Sequence, residues 1–272
     1  MPLTPQTKSQ IRRALLEDEG TGDVTSRLLI PRKARGSAVV IAREAGIFCG
    51  EEAVRELVRA AGRGLTVRFF RRDGKSFSRN QKVLELRGPV RKILLAERTL
   101  LNFLGRLSGI ATLTRRFADK VRRCRVSILD TRKTTPLWRE LEKLAVKTGG
   151  GKNHRRGLYD AVFVKENHRP YGDLKNLRRA AGKFEIEVRN FRELAEALML
   201  RPGAVVFDNF RPRELAKAVK TARRAHPRIR LEASGGVKLS NVVSFARTGV
   251  DQISIGALTH SAKALDFSLL VK

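Results

Sequence analysis

The chain has 272 residues, with 57 Lys and Arg against 27 Asp and Glu, for a formal net charge of +30. Hydrophobic residues make up 42%, enough for a substantial core, so a disordered chain is excluded. No apolar run approaches the roughly 18 residues of a membrane span, and the opening MPLTPQTKSQIRRALLEDEG lacks a secretory apolar core, which makes the cytoplasm the expected compartment.

An opening helix is predicted over Ser9 to Glu17, with Ser9 as its N-cap. Short β-like runs follow at Ser37–Arg43, Leu65–Phe70 and Val83–Leu86, and Asp73-Gly74 reads as a hairpin turn between the last two. The pattern changes near residue 92. A long helix is predicted from Ile93 to Val121, with Leu94, Leu95, Leu101, Leu104 and Leu107 as apolar positions. Six further runs come after it: Val126–Asp130, Ala161–Lys165, Phe184–Glu187, Ala204–Asp208, Ile229–Glu232 and Gln252–Gly256. The later ones recur roughly every 20 to 25 residues, each followed by a helical segment, which is the rhythm of parallel βαβ units. Asp130, Lys165, Glu187, Asp208 and Glu232 stand at or near the C-terminal ends of their runs. That is the rim where α/β barrels carry chemistry, so a barrel is preferred to a doubly wound sheet.

The +30 charge attracts anions: phosphates, carboxylates or nucleic acid. The cations are spread along the whole chain, and aromatic residues for base stacking are only 6%. Most of this charge reads as solvated surface, with a few cations left for a specific task. The two cysteines, Cys49 and Cys124, have no metal-ligand spacing and read as small core residues.

Chemistry concentrates in a few segments. Asp130-Thr131-Arg132-Lys133-Thr134-Thr135-Pro136 is followed by Gly149-Gly150-Gly151-Lys152-Asn153-His154-Arg155. Three glycines before a basic cluster read as backbone approaching an anionic ligand. Arg132, Lys133, His154 and Arg155, if gathered, make a pocket for several negative charges, with arginine forks on carboxylates and lysine on phosphate. Lys165 ends an apolar strand, where it can pair with substrate, act as a Schiff-base nucleophile or reach solvent. Glu187 and Asp208 end successive runs, so they can hold Mg2+, accept from ribose hydroxyls or pair with cations. Ser234-Gly235-Gly236 and Gly256-Ala257 follow the last two runs, the usual place for a phosphate bound by backbone N–H groups.

Taken together, nine stretches resemble the quinolinate phosphoribosyltransferase family in order: EDEGTGDVTS, AERTLLNFLGRLSGIAT, DTRKTTP, GGGKNHR, VKENH, EIEV, FDNF, EASGG and GVDQISIGALTHS. They run from about residue 17 to 261, nearly the whole chain. The resemblance implies an α/β fold, with an N-terminal α/β sandwich-like domain over 1–98 and an open α/β barrel over 99–272. It implies Mg2+-dependent reaction of quinolinate with phosphoribosyl pyrophosphate in a homodimer or a higher even-numbered assembly. By position, Arg98 (from the neighbouring subunit), Arg132, His154, Arg155 and Lys165 would line the quinolinate pocket, and Lys133 would face pyrophosphate. Glu187 and Asp208 would serve the ribose and metal; Ser234, Gly235, Gly256 and His260 would take the 5′-phosphate. The family pattern continues Gly-Leu-Arg after DTRKTTP, whereas this chain has Leu137-Trp138-Arg139, and leucine rarely takes the positive φ open to glycine. Two rivals accompany this reading: a related protein associated with molybdate transport, and a nucleic-acid-binding protein on the same scaffold. Arg132, Arg155 and Lys165 favour quinolinate over the first, and the absence of a binding motif weighs against the second.

Overall fold

Thr4 and Pro5 start the first helix in the computed structural model, which describes residues 3–180 and 182–272. The Thr4 hydroxyl accepts from the Thr7 N–H, and Pro5 sits where no backbone donor is needed, so α1 spans Pro5–Glu19. The expected cap at Ser9 is therefore corrected: Ser9 lies inside the helix. Chain order then gives α2 (Val24–Leu29), β1 (Arg35–Ala42), β2 (Gly46–Ile47), α3 (Glu51–Ala60), β3 (Thr66–Phe69), β4 (Ser76–Phe77), β5 (Lys82–Pro89) and α4 (Val90–Lys120). Next come β6 (Ser127–Leu129), α5 (Arg139–Thr148), β7 (Val162–Val164), β8 (Phe184–Val188), α6 (Phe191–Met199), β9 (Ala204–Asp208) and α7 (Pro212–Ala225). The chain closes with β10 (Arg230–Ser234), α8 (Val242–Ala246), β11 (Gln252–Ser254), α9 (Ala257–His260) and β12 (Phe267–Val271).

Two compact units result. One takes in the chain up to Arg115 together with Thr134–Gly150 and Leu258–Lys272; the other comprises Arg116–Lys133 and Gly151–Ala257. The first unit holds an antiparallel sheet in the order β12-β1-β5-β3 and a small β2-β4 pair. Asp73-Gly74 is not a simple hairpin turn joining β3 to β5, because β4 intervenes and pairs with β2. Asp73 instead caps α3, its carboxylate accepting from the Gly50 and Glu51 N–H groups at 2.8 and 3.2 Å. The glycine triplet is also partly structural. A Cβ on Gly149 would lie 2.4 Å from the Ala111 carbonyl oxygen, and Gly150, at φ 97°, ends the turn after α5.

The second unit is built on a six-stranded parallel sheet in the order β6-β11-β10-β9-β8-β7. This is the neighbour order of a barrel opened between β6 and β7. Because side chains alternate across a strand, the sheet has two contrasting faces. Phe184, Ile186, Val188, Val205, Phe207, Leu231, Ala233 and Ile253 lie on one face, all buried. Glu185, Glu187, Asp208, Glu232, Ser234 and Ser254 lie on the other. Helices α6 and α7 follow β8 and β9 as the βαβ rhythm predicts. The helix expected after β7 is replaced by two 3-10 turns, Glu166–His168 and Leu174–Ala180.

Candidate active site

The polar face of the parallel sheet collects the predicted residues at the strands' C-terminal ends. Asp130, fully buried just past β6, accepts from the His154 N–H at 2.8 Å, so β6 fixes the start of the basic loop. The adjoining backbone is tied as well: Lys152 donates to Ile128 O, and Asp130 donates back to Lys152 O.

Three of the predicted quinolinate contacts surround one ring, Phe163 of β7. The His154 ring centroid lies 5.5 Å from it, and the Arg155 Cζ and Lys165 Nζ atoms each lie 5.0 Å from its centroid. Arg132 is close enough to be felt: burial first, and the Arg132 charge second, pull the Arg155 guanidinium below its ordinary pKa. Arg155 also donates to Ala161 O at 3.1 Å. Arg155 and Lys165 thus share one ring as a neighbour, with Arg132 close to Arg155.

His154 is held through one ring nitrogen and turns the other toward two carboxylates. Its Nδ1 accepts from the Arg155 N–H at 2.8 Å, which leaves Nε2 as the protonated position of the neutral ring. Nε2 lies 3.3 Å from Glu185 Oε2 and 3.7 Å from Glu232 Oε2. The Glu185 atom is buried and makes no well-aligned hydrogen bond. The His154 contact still acts first in holding the Glu185 carboxyl below its ordinary pKa. Glu232, 3% exposed, accepts from Ser254 Oγ at 2.5 Å, and burial pushes its pKa up.

Across the sheet stands an acidic group. Lys165 Nζ lies 3.2 Å from Glu187 Oε2, and Arg169 donates to the Glu187 backbone carbonyl at 3.2 Å. Burial, a hydrogen bond with the Glu166 carboxyl and the charge of Asp208 raise Glu187 to a pKa of about 7. Asp208 is steadied by Asn209, which donates its side-chain amide to Asp208 Oδ2 at 2.9 Å and its N–H to Ser234 O at 2.9 Å. Asn209 adopts φ 57°, and a Cβ on Gly235 (φ 86°) would lie 2.2 Å from its Oδ1. Glycine at 235 is thus required by both conformation and space. Ser234 and Asp208 are register partners on β10 and β9, which puts the proposed phosphate turn beside the acidic group. Gly256 follows the neighbouring strand β11.

Lys133 is exposed on the loop after β6, its N–H donating to Thr131 Oγ1 at 3.1 Å. Arg98 and His260 belong to the first compact unit. Arg98 lines a cavity of about 430 Å³ there with Asn102, Arg106 and Trp138, and His260 Nδ1 lies 2.6 Å from Ser261 Oγ. Sequence reasoning missed Phe163, Asn209 and Glu185 as parts of the site. Phe163 and Glu185 were visible only as positions two residues before Lys165 and Glu187, on the same strand face.

Cations and carboxylates at the C-terminal ends of parallel strands define an anion-handling enzyme of the α/β-barrel class. Residues 23–108 match the family model for the quinolinate phosphoribosyl transferase N-terminal domain, and residues 110–270 that for the C-terminal domain. The chain is 38% identical to a probable carboxylating nicotinate-nucleotide pyrophosphorylase of Bacillus subtilis, over 97% of this chain and 93% of that one. A probable carboxylating nicotinate-nucleotide pyrophosphorylase of Methanocaldococcus jannaschii is 39% identical, over 95% of each chain. Among solved structures, the nicotinate-nucleotide pyrophosphorylase of Francisella tularensis superposes with a TM-score of 0.91 at 38% identity, over 99% of this chain and 98% of that one. The chain belongs to the quinolinate phosphoribosyl transferase family.

Proposed function

We propose that this chain transfers the phosphoribosyl group of phosphoribosyl pyrophosphate to the ring nitrogen of quinolinate, giving nicotinate mononucleotide, pyrophosphate and CO2. The observation that carries the proposal is the gathering of His154, Arg155 and Lys165 about Phe163, beside Arg132 and opposite Glu187 and Asp208. Two polyanions must meet, and only a site with cations already in place brings them together without repulsion.

Arg132, Arg155 and Lys165 hold the two carboxylates of quinolinate and aim the ring nitrogen at C1 of the ribose. His154 helps to build this pocket. Lys133 faces the pyrophosphate, and Ser234, Gly235 and Gly256 take the 5′-phosphate. As the bond from C1 to pyrophosphate breaks, positive charge grows on the ribosyl centre near Glu187 and Asp208. The ring nitrogen supplies the electron pair of the new bond. The nitrogen then carries positive charge, so the pair left on C2 when CO2 departs is stabilised until a proton replaces it. No covalent enzyme intermediate is needed.

Glu187 and Asp208 fit Mg2+. Burial and neighbouring carboxyls hold the Glu187 carboxyl up to a pKa of about 7, the condition a divalent cation relieves. Among the described residues there is no group of three or more His, Cys, Asp or Glu side chains able to hold a metal ion. Glu187 and Asp208 would be the carboxylates that hold Mg2+, and the ion would supply positive charge against the leaving pyrophosphate.

The active assembly is proposed to be a homodimer or a higher even-numbered oligomer, with Arg98 entering the neighbouring subunit's pocket. The cytoplasm is the proposed compartment; no helix among the described residues is long and apolar enough to cross a membrane. Arg132→Ala tests the pocket. Loss of a charge-assisted contact of about 1.5–3 kcal/mol lowers kcat/KM for quinolinate by roughly 10- to 100-fold. An unchanged kcat/KM would remove Arg132 from the site.

A further inference from the structure

We infer that Phe163 is a positioning residue of the dicarboxylate pocket, its ring serving as a shared platform against which the Arg155 and Lys165 cations are oriented. This deepens the proposed reaction and rests on it.

The pocket poses an electrostatic problem before substrate binds. Arg155 and Lys165 carry like charge, and Arg132 adds a third positive group near enough to act on Arg155. Glu187 holds Lys165 at 3.2 Å and the Ala161 carbonyl holds Arg155 at 3.1 Å, but these partners lie apart and neither is shared by both cations. The face of an aromatic ring attracts a cation through the negative side of its quadrupole. Both cations lie 5.0 Å from the Phe163 centroid, inside the range of that attraction.

Three further observations separate this role from ordinary packing. Phe163 and Lys165 are two apart on β7, so both project from the same strand face. Phe163 itself is only partly buried, unlike the apolar residues of the opposite face. Its third neighbour is the His154 ring, inclined at 31°, whose Nδ1 holds the Arg155 N–H. One ring thus meets the side chains of three pocket residues, His154, Arg155 and Lys165. A leucine would fill similar space but offer no quadrupole.

The test compares Phe163→Leu and Phe163→Tyr with the wild-type enzyme. Calorimetric titration with quinolinate alone reads the pocket, and steady-state kinetics with both substrates reads the reaction. Phe163→Leu is expected to weaken quinolinate binding and raise its KM about tenfold. Its kcat, its KM for phosphoribosyl pyrophosphate and its Tm should stay close to wild type, and Phe163→Tyr should restore the quinolinate values. Unchanged quinolinate binding in Phe163→Leu would overturn the inference. So would a loss that affects both substrates equally together with Tm, since that marks a packing residue. A wild-type enzyme that binds quinolinate but does not turn it over would sink the proposed reaction and leave the platform standing.

Discussion

Leu137 occupies the left-handed region at φ 67°, where the family pattern has glycine. A non-glycine residue there costs about 1–2 kcal/mol, and Leu137 is 70% exposed, so little burial offsets the cost. The loop keeps its shape through its neighbour: the Trp138 ring stacks on Phe103 at 4.8 Å between centroids. The two substitutions read as one exchange, a strained backbone held by an aromatic contact. Leu137→Gly relieves the strain but loosens the unfolded chain by about 0.5–1 kcal/mol. Thermal unfolding should therefore show a gain of up to about 1.5 kcal/mol, and a loss of stability would mean the leucine is not strained. Residues at this scale were unevenly legible. Lys165, Glu187 and Asp208 announced themselves as polar groups ending apolar strands. Phe163 did not, because a phenylalanine inside a strand looks like core until its neighbours are known. Asn209 was hidden as well, since its value lies in a positive φ and in two hydrogen bonds that no local pattern displays.

Among the elements, β8 to β11 followed directly from the sequence, because buried parallel strands are written as short β-branched runs at regular spacing. Pairing across long stretches of chain left no such trace. Strand β12 joins β1 from the far end of the sequence, and β4 separates β3 from β5. The 3-10 turns after β7 broke the rhythm for a local reason: the Lys165 N–H is taken by His168 Nδ1 at 2.9 Å, closing a tight turn where a helix was expected. The alternation of the sheet also places Glu232 on β10 inside the polar face, where burial raises its pKa above the ordinary 4.5. A carboxyl shifted this way supports the fold while protonated. That support is complete below the ordinary value and is lost as pH rises through the higher folded value. Glu232→Gln keeps an oxygen to accept from Ser254 and has no proton to lose. The Tm of the variant relative to wild type should therefore rise as pH increases above the ordinary carboxylate value of 4.5. A difference that stays flat or falls over that range would contradict the assignment.

Over the whole molecule, the +30 charge and the reaction belong to one electrostatic picture. Both proposed substrates are anions, and a cationic surface raises their local concentration near the site. The selective part of that charge is small. It is the group on the polar face of the parallel sheet, arranged against two carboxylates, where field and geometry act together. Net charge alone could not have distinguished this enzyme from a nucleic-acid binder. The ordered motifs could, because DTRKTTP, GGGKNHR, VKENH, EIEV and FDNF return cations and carboxylates to the same end of the parallel sheet. The most direct test is to incubate the purified protein with Mg2+, phosphoribosyl pyrophosphate and quinolinate labelled in its 2-carboxylate, following labelled CO2 and mononucleotide together, with nicotinate as the parallel substrate. Equal amounts of CO2 and nicotinate mononucleotide from quinolinate, and little product from nicotinate, are the predicted result. No CO2 from quinolinate, or mononucleotide formed faster from nicotinate, would contradict the account.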